Sequence, residues 1–368
     1  MHIRRQHLAK DGEVDGTRRQ QPGSWTLSGF GLRTAVVGLD TSFGYHISFI
    51  IKVPEFTSNA SSPEWLNTLR VGRYIMDNEG LRARLINVGL ERVADDIMHL
   101  TKPSIRIDCR RADDEAALPL GSSKLGGAPD LPPGALWPTW QGIPLLFIGQ
   151  ICLADIAPYD EEGDLPHSGL LSFFVGHSGG GAALMLSHDD PSSWMVSHFE
   201  GDVSTFVRLG LPSELREDLR LPACPATFSR QPTLPHALSR EILALGLSES
   251  EGLAYIEVES GEDLGFSDFA PYLLGYPYYF AGDSPLIAAA ASTDPSFDVS
   301  RPKNVPYLET LRDQHQRAEA EWRLLMQVFS IQEAQMDFGG GGYLYFCIPK
   351  TALSERDFSR VRVEMFFP

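Results

Sequence analysis

The chain is 368 residues long, 43% hydrophobic, and carries a formal net charge of −17. Such a length and apolar share support a large core, in one large domain or two subdomains, and exclude disorder throughout. The acidic excess has no lysine or arginine stripe to offset it, which sets nucleic acid aside as a partner, and no run of about 18 apolar residues is present to cross a membrane as a helix.

Residues 1–24 are polar and irregular and read as a disordered extension. Their basic residues are mixed with Asp11, Glu13 and Asp15 and lead into no apolar core, so no signal peptide is predicted and the expected location is the cytoplasm. Across 25–64 two β-type runs, LRTAVVGL and YHISFIIKV, flank the turn-rich DTSFG and predict a β-hairpin appendage. The remainder, 65–368, reads as one α+β domain. Over Glu79–Leu100, Leu81, Leu85 and Val88, then Val93, Ile97 and Leu100, fall at helical spacing between charged positions, predicting an amphipathic helix broken or softened at Gly89. Pro103 stops it, and SIRIDCR, with Ile105, Ile107 and Cys109 alternating, predicts a strand.

The segment Ser122–Ile151 crowds turn residues, two tryptophans and an apolar strand together. Its prolines at 129, 132, 133, 138 and 144 fix φ and remove donors, so a built loop is predicted, with no helix or central strand before Pro144. Burying one ring of Trp137 or Trp140 contributes at most about 4–6 kcal/mol, so the loop is expected to pack down before the strand Leu145–Ile151. GLLSFFVG and SWMVSHFEG predict further strands in antiparallel meanders, with helical pieces near 212–220 and 235–246. The C-terminal third gives the charged helix YLETLRDQHQRAEAEW, the apolar RLLMQVFSI, the strand GGYLYFCIP, the short helix TALSERDFSR and the strand VRVEMFF. The fold class is therefore α+β, an extensive, mainly antiparallel sheet with packed helices, and the helix-then-strands order at both ends suggests two related halves.

For chemistry, Gly176-His177-Ser178-Gly179-Gly180 fits G-x-S-x-G after the strand LLSFFV, as the nucleophile elbow of a serine hydrolase would, and Ser178, Asp283 and His315 supply the order nucleophile, acid, base. Against it, only eighteen residues separate Val175 from the next β run at Trp194, no βαβα succession follows, and His315 lies on a charged helix whose polar face is expected to be solvated. A glycine-rich hairpin loop is the simpler reading. His177, His188 and His198 have no ligand spacing, and Cys109, Cys152, Cys224 and Cys347 form no CxxC pair. The cluster Asp160, Glu161, Glu162 and Asp164 lacks the calcium-loop pattern and reads as a solvated loop, so no metal or cofactor is predicted. Gly339–Gly342 reads as a tight or bulged turn into a strand. Three residues stand out as binding candidates: Trp137, Tyr276 within the stiffened aromatic run LLGYPYYF, and Gln150, whose amide inside an apolar strand needs partners.

Five stretches, GGAPDLPPGALWP, LLFIGQI, SGLLSFFV, LLGYP, and WRLLMQVFS followed by GGYLYFCI, together resemble the YwqG-like family, a bacterial-type family of uncharacterised function, over roughly residues 80–368. The resemblance implies an α+β fold with extensive antiparallel sheet and places Ser178 in a hairpin connection. It brings no catalytic residues. The occurrence of such proteins near bacterial toxin and immunity genes implies a protein-binding role. Where the family has a Gly-Asp-x-Gly turn before the last strands, this chain has Phe338-Gly339-Gly340-Gly341-Gly342 and lacks the carboxylate.

The reading is a cytoplasmic, non-enzymatic binding protein. A concave surface walled by the Trp137 and Tyr276 loops would hold a basic protein partner, favoured by the acidic charge, or a small ligand. A serine hydrolase centred on Ser178 is the alternative.

Overall fold

The computed structural model describes Arg33–Asp40, His46–Val53 and residues 77–366, apart from 178–183, 185, 188–189, 261–269, 279–283, 298–305 and 339–340. The chain divides into two compact units, Met1–Leu66 and Asn67–Pro368. In the first, β1 (Arg33–Asp40) and β2 (His46–Val53) pair antiparallel, from Arg33 opposite Val53 to Asp40 opposite His46.

The second unit begins with α1 (Asn78–Asn87), α2 (Ala94–Leu100) and β3 (Lys102–Cys109). Then come β4 (Lys124–Leu125), β5 (Asp130–Leu131), β6 (Thr139–Trp140), β7 (Ile143–Pro144), β8 (Leu146–Cys152), α3 (Leu153–Ile156), β9 (Leu170–Val175), β10 (Trp194–Phe199) and β11 (Val207–Arg208). The rest is β12 (Cys224–Thr233), α4 (Arg240–Ala244), α5 (Glu249–Glu259), β13 (Tyr272–Leu273), α6 (Pro285–Ala291), α7 (Pro306–Glu321), β14 (Trp322–Phe329), β15 (Tyr343–Pro349), α8 (Lys350–Ser354) and β16 (Arg362–Phe366).

Ten of these strands form one sheet in the order β10-β9-β8-β4-β12-β3-β13-β14-β15-β16, every neighbouring pair antiparallel. The sheet rolls until its ends meet. Phe173 on β9 and Phe346 on β15 stand edge to face with ring centroids 5.0 Å apart, and the Trp194 indole on the edge strand β10 donates to the carbonyl of Val361, just before the other edge strand, at 2.9 Å. The enclosed core takes alternate residues from both sides, among them Ile148, Phe173, Val175, Leu344, Phe346 and Ile348. The outer faces are covered as well: Phe147 and Phe174 by Trp140 and Leu145, and Tyr345 and Cys347 by Leu286, Ala289 and Ala290 of α6. Burial on both faces is why LLSFFV and YLYFCI read as unbroken apolar runs rather than as alternating strands. A separate cluster joins Leu81, Leu85 and Ile97 of α1 and α2 to Ile242, Tyr255 and Val258 of α4 and α5.

One register occurs twice. Leu125 lies opposite Gly149 and Leu273 opposite Met326; the β8–β9 ladder slips by one residue at Ile148 and the β14–β15 ladder at Leu325; Gln150 lies opposite Ser172 and Gln327 opposite Tyr345. Each short strand leads into two residues with positive φ, Gly126 and Gly127 in one case and Leu274 and Gly275 in the other. A proline follows, and the next backbone N–H, of Asp130 or of Tyr278, donates to the glutamine Oε1 at 2.9 Å. The middle of the sheet is crossed over: β12 pairs with β4 and β3 with β13, while β3 and β12 lie side by side with Asp108 opposite Thr227.

Two local expectations are corrected. Lys124–Leu125 is a central strand ahead of Pro144, because the prolines begin only at 129 and leave its ladder groups intact. Of the two alternatives at Gly89 the helix over Glu79–Leu100 takes the break: Gly89, at φ +90°, ends α1, and α2 follows. The piece near 212–220 holds only a 3₁₀ turn at Glu217–Leu219.

Candidate functional site

The Gln150 amide is held inside the fold. Its Oε1 accepts from the Asp130 N–H, and its Nε2 donates to the Ser122 carbonyl at 2.9 Å and to Asp130 Oδ2 at 2.8 Å. Asp130, fully buried, also receives Arg208 Nε at 2.8 Å and the Gly121 N–H at 3.0 Å, and lies 3.6 Å from Lys124 Nζ. Lys124, buried likewise, donates to Glu115 Oε1 at 2.9 Å. Burial pushes the Asp130 carboxyl up, but the Arg208 hydrogen bond, the Lys124 charge and the Gln150 amide outweigh it and hold it below the usual carboxylate range. These bonds tie the GGAPD loop to β8 and β11. Trp137 is half-buried, its indole donating to the Leu145 carbonyl at 2.8 Å and its ring standing edge-on to Phe174.

Tyr276 lies in different surroundings. Its N–H donates to Thr233 Oγ1, which in turn donates to the Lys102 carbonyl, each at 2.9 Å, and the Lys102 ammonium sits 4.4 Å from the centre of the Tyr276 ring. Gly275 permits this approach: at φ +72°, a Cβ there would stand 2.6 Å from Thr233 Oγ1. Burial is the main cause that lifts the Tyr276 phenol above its ordinary value.

Beside this pair three cavities run together. The first is small and lies among Lys102, Asp160, Glu162, Asp164, Gly275 and Arg323. The second, about 360 Å³, shares Asp164 and Arg323 with it and adds Lys350 and Arg356. The third, about 730 Å³, shares Lys350 with the second and adds Trp322, Arg360 and Arg362. The acidic loop, read from the sequence as simply solvated, forms one wall. It is a built turn: Asp160 accepts from the N–H groups of Asp164 and Leu165, and Arg230 Nε reaches Glu161 at 3.1 Å.

The first two cavities bring cations and carboxylates together. Burial, then the Arg323 charge, lowers the Lys102 ammonium; burial, then Arg323 and Lys102, lowers that of Lys350. Among the described residues none of these three cations is ion-paired with a carboxylate, and Arg323 Nη1 donates to the carbonyls of Glu319 and Trp322. Burial, then Glu162 and Asp160, raises the Asp164 carboxyl. Positions 102, 323 and 350 have no mutual spacing that a sequence reading could detect, and only the pairing of β3, β13, β14 and β15 brings them together.

Ser178 and Asp283 lie outside the described residues. The third member of that set, His315, is not solvated as expected: it is 1% exposed, stacked on His236 with ring centroids 4.1 Å apart, its Nδ1 3.7 Å from Glu319 Oε2. Helix α7 turns this side inward, against α5 and the segment ahead of α4, where His236 Nε2 lies 3.9 Å from the buried Glu259. Burial pushes His315 down to about 4; burial and the neighbouring His315 push His236 down to about 2. Near the other end of the elbow sequence, His177 bridges antiparallel to Leu184 and its Nε2 lies 2.9 Å from the Pro144 carbonyl. Among the described residues no group of three or more His, Cys, Asp or Glu is placed to hold a metal ion, and no helix is long and apolar enough to cross a membrane.

No curated protein matches the chain. A family described only as a domain of unknown function, DUF1963, matches residues 123–365, from just before the strand β4 into β16. With that match covering more than half its length, the chain belongs to the DUF1963 family.

Proposed function

We propose that the chain is a cytoplasmic, non-enzymatic binding protein of YwqG-like type, and that the groove at Lys102, Arg323 and Lys350 is its binding site. The observation that carries this reading is the crowding of three partly buried cations, none of them in a salt bridge among the described residues, with Glu162, Asp164 and Glu319 acting on them only from farther off. Their mutual repulsion favours a ligand that brings an acidic group. The sequence alone pointed to a basic partner through the net charge; these cations direct an acidic group of a protein segment or small ligand to this spot, with the Asp160–Asp164 loop beside it for a neighbouring positive group. Of the residues singled out from the sequence, Tyr276 borders the groove through Lys102, whereas Trp137 and Gln150 serve the fold. A partner of the toxin and immunity kind fits this reading.

The test is fluorescence anisotropy with a labelled glutamate-rich peptide, together with calorimetry on succinate. Binding at low salt that weakens at least tenfold in Arg323→Met, with the thermal melt unchanged, is expected. Absence of binding, or binding indifferent to Arg323→Met, overturns the proposal.

The finer reading of the fold is that the β4–β8–β9–β10 and β13–β14–β15–β16 halves are related copies. The shared register, the paired positive-φ residues and the glutamine bond support it. So do LGGAPD against LLGYPY and GLLSFFV against GYLYFCI.

A further inference from the structure

The third cavity has a chemistry of its own. Its lining holds three cations, Lys350, Arg360 and Arg362, against one carboxylate, Glu321. In a chain with a net charge of −17 this is a local reversal of sign. Among the described residues none of the three cations is ion-paired with a carboxylate. The Arg362 guanidinium is half-buried; its Nη1 donates to the Val361 carbonyl at 3.3 Å and its carbon lies 5.8 Å from the centre of the Trp194 ring. The nearby Glu364 carboxyl, 4% exposed, is pushed up to about 8 by burial, against the opposing pull of the Arg362 charge.

We infer that this cavity is an anion site for the phosphoryl group of a small soluble phosphomonoester, bound by Arg360, Arg362 and Lys350. Three cations against one glutamate leave a surplus of two positive charges. A carboxylate cancels one of them, and a phosphomonoester, at about −1.5 to −2 near pH 7, cancels the surplus. Two guanidinium groups present the planar forked donors that suit phosphate oxygens, with lysine as the point charge. The volume of about 730 Å³ is that of a small-molecule site and leaves room for an organic body, which Trp322, Thr293 and Thr351 would border. The inference goes beyond the acidic-group site at Lys102 and Arg323, and shares only Lys350 with it.

The test is isothermal titration of the full chain, at fixed ionic strength, with inorganic phosphate and with glycerol 3-phosphate, using acetate and chloride as controls. Saturable binding of both phosphates, weakened at least tenfold in Arg360→Gln and in Arg362→Gln and unchanged in Arg323→Met, is expected. Arg360 is exposed, so its substitution leaves the fold intact, and a thermal melt checks the Arg362 variant. The inference is overturned if neither phosphate binds saturably, if acetate binds as well as phosphate, or if Arg360→Gln binds as tightly as the unaltered chain. Phosphate binding lost in Arg323→Met but kept in Arg360→Gln assigns the anion to the other site and overturns it too. Glycerol 3-phosphate binding more tightly than inorganic phosphate supports the organic body, whereas inorganic phosphate alone overturns the phosphomonoester assignment.

Discussion

Single residues in this chain divide by whether their polar atoms are engaged within the fold. Gln150 makes three hydrogen bonds and helps hold the buried Asp130 carboxylate, so Gln150→Ala is expected to cost about 2–4 kcal/mol, measured by urea denaturation. A loss below about 1 kcal/mol would show that Arg208 and Lys124 suffice. Four buried titratable groups set a pH profile. Glu259 and Glu364 are pushed by burial up to about 8, while His236 and His315 are pushed down to about 2 and about 4. Above pH 6.5 the folded chain keeps glutamate protons that the unfolded chain has released, so stability falls as pH rises toward about 8, by up to about 1.4 kcal/mol per pH unit for each group. Below pH 4.5 the unfolded chain holds imidazole protons that the folded one excludes, so stability falls again. In between, the two effects oppose. Urea midpoints from pH 4 to 9 should therefore peak between about 4.5 and 6.5, and Glu259→Gln should roughly halve the alkaline slope. A maximum above pH 7 contradicts this assignment. The sequence showed that Gln150 needed partners. It could not name them, because Asp130 lies twenty positions away and Arg208 further still.

At the scale of elements, pattern and punctuation located most strands, while ladder membership set their ends. LLSFFV, YLYFCI and RVEMF are legible from apolar runs and flanking turn residues. Two-residue strands such as β4 and β13 carry no periodicity and exist only through their neighbours. The glycine after β4 shows how closely the loop approaches. At Gly126, with φ +65°, a Cβ would stand 2.4 Å from the Pro222 carbonyl, whereas at Gly134, with φ +86°, nothing lies within 4 Å. Gly126→Ala should therefore cost more than about 3 kcal/mol and Gly134→Ala about 1 kcal/mol, the latter from backbone strain alone. Equal losses in thermal or urea unfolding would mean that the loop can shift away from Pro222. Helix α7 gives the opposite lesson about pattern. Its charged sequence implied a solvated face, and the side bearing His315 is nevertheless buried, because α5 and the segment ahead of α4 cover it.

For the whole molecule, the crossed strands at the centre of the sheet make each half depend on the other. Strand β12 lies between β4 and β3, and β3 between β12 and β13. If the halves are related copies, chains 67–210 and 211–368 produced together should reassemble, and each alone should remain insoluble, since a central strand of each lies against the other. Affinity capture through a tag on one fragment tests this: a lone fragment that folds, or a pair that fails to associate, argues against it.

The sequence by itself determined the α+β class, most of the strands and the packing-down of Trp140 and the GGAPDL part of the Ser122–Ile151 loop, because apolar runs, prolines and glycines act locally. The tertiary structure decided the candidate site. Lys102, Arg323 and Lys350 are solvated charges in any local reading, and rolling the sheet sets them around one partly buried groove, where desolvation and mutual repulsion give them a shared electrostatic character.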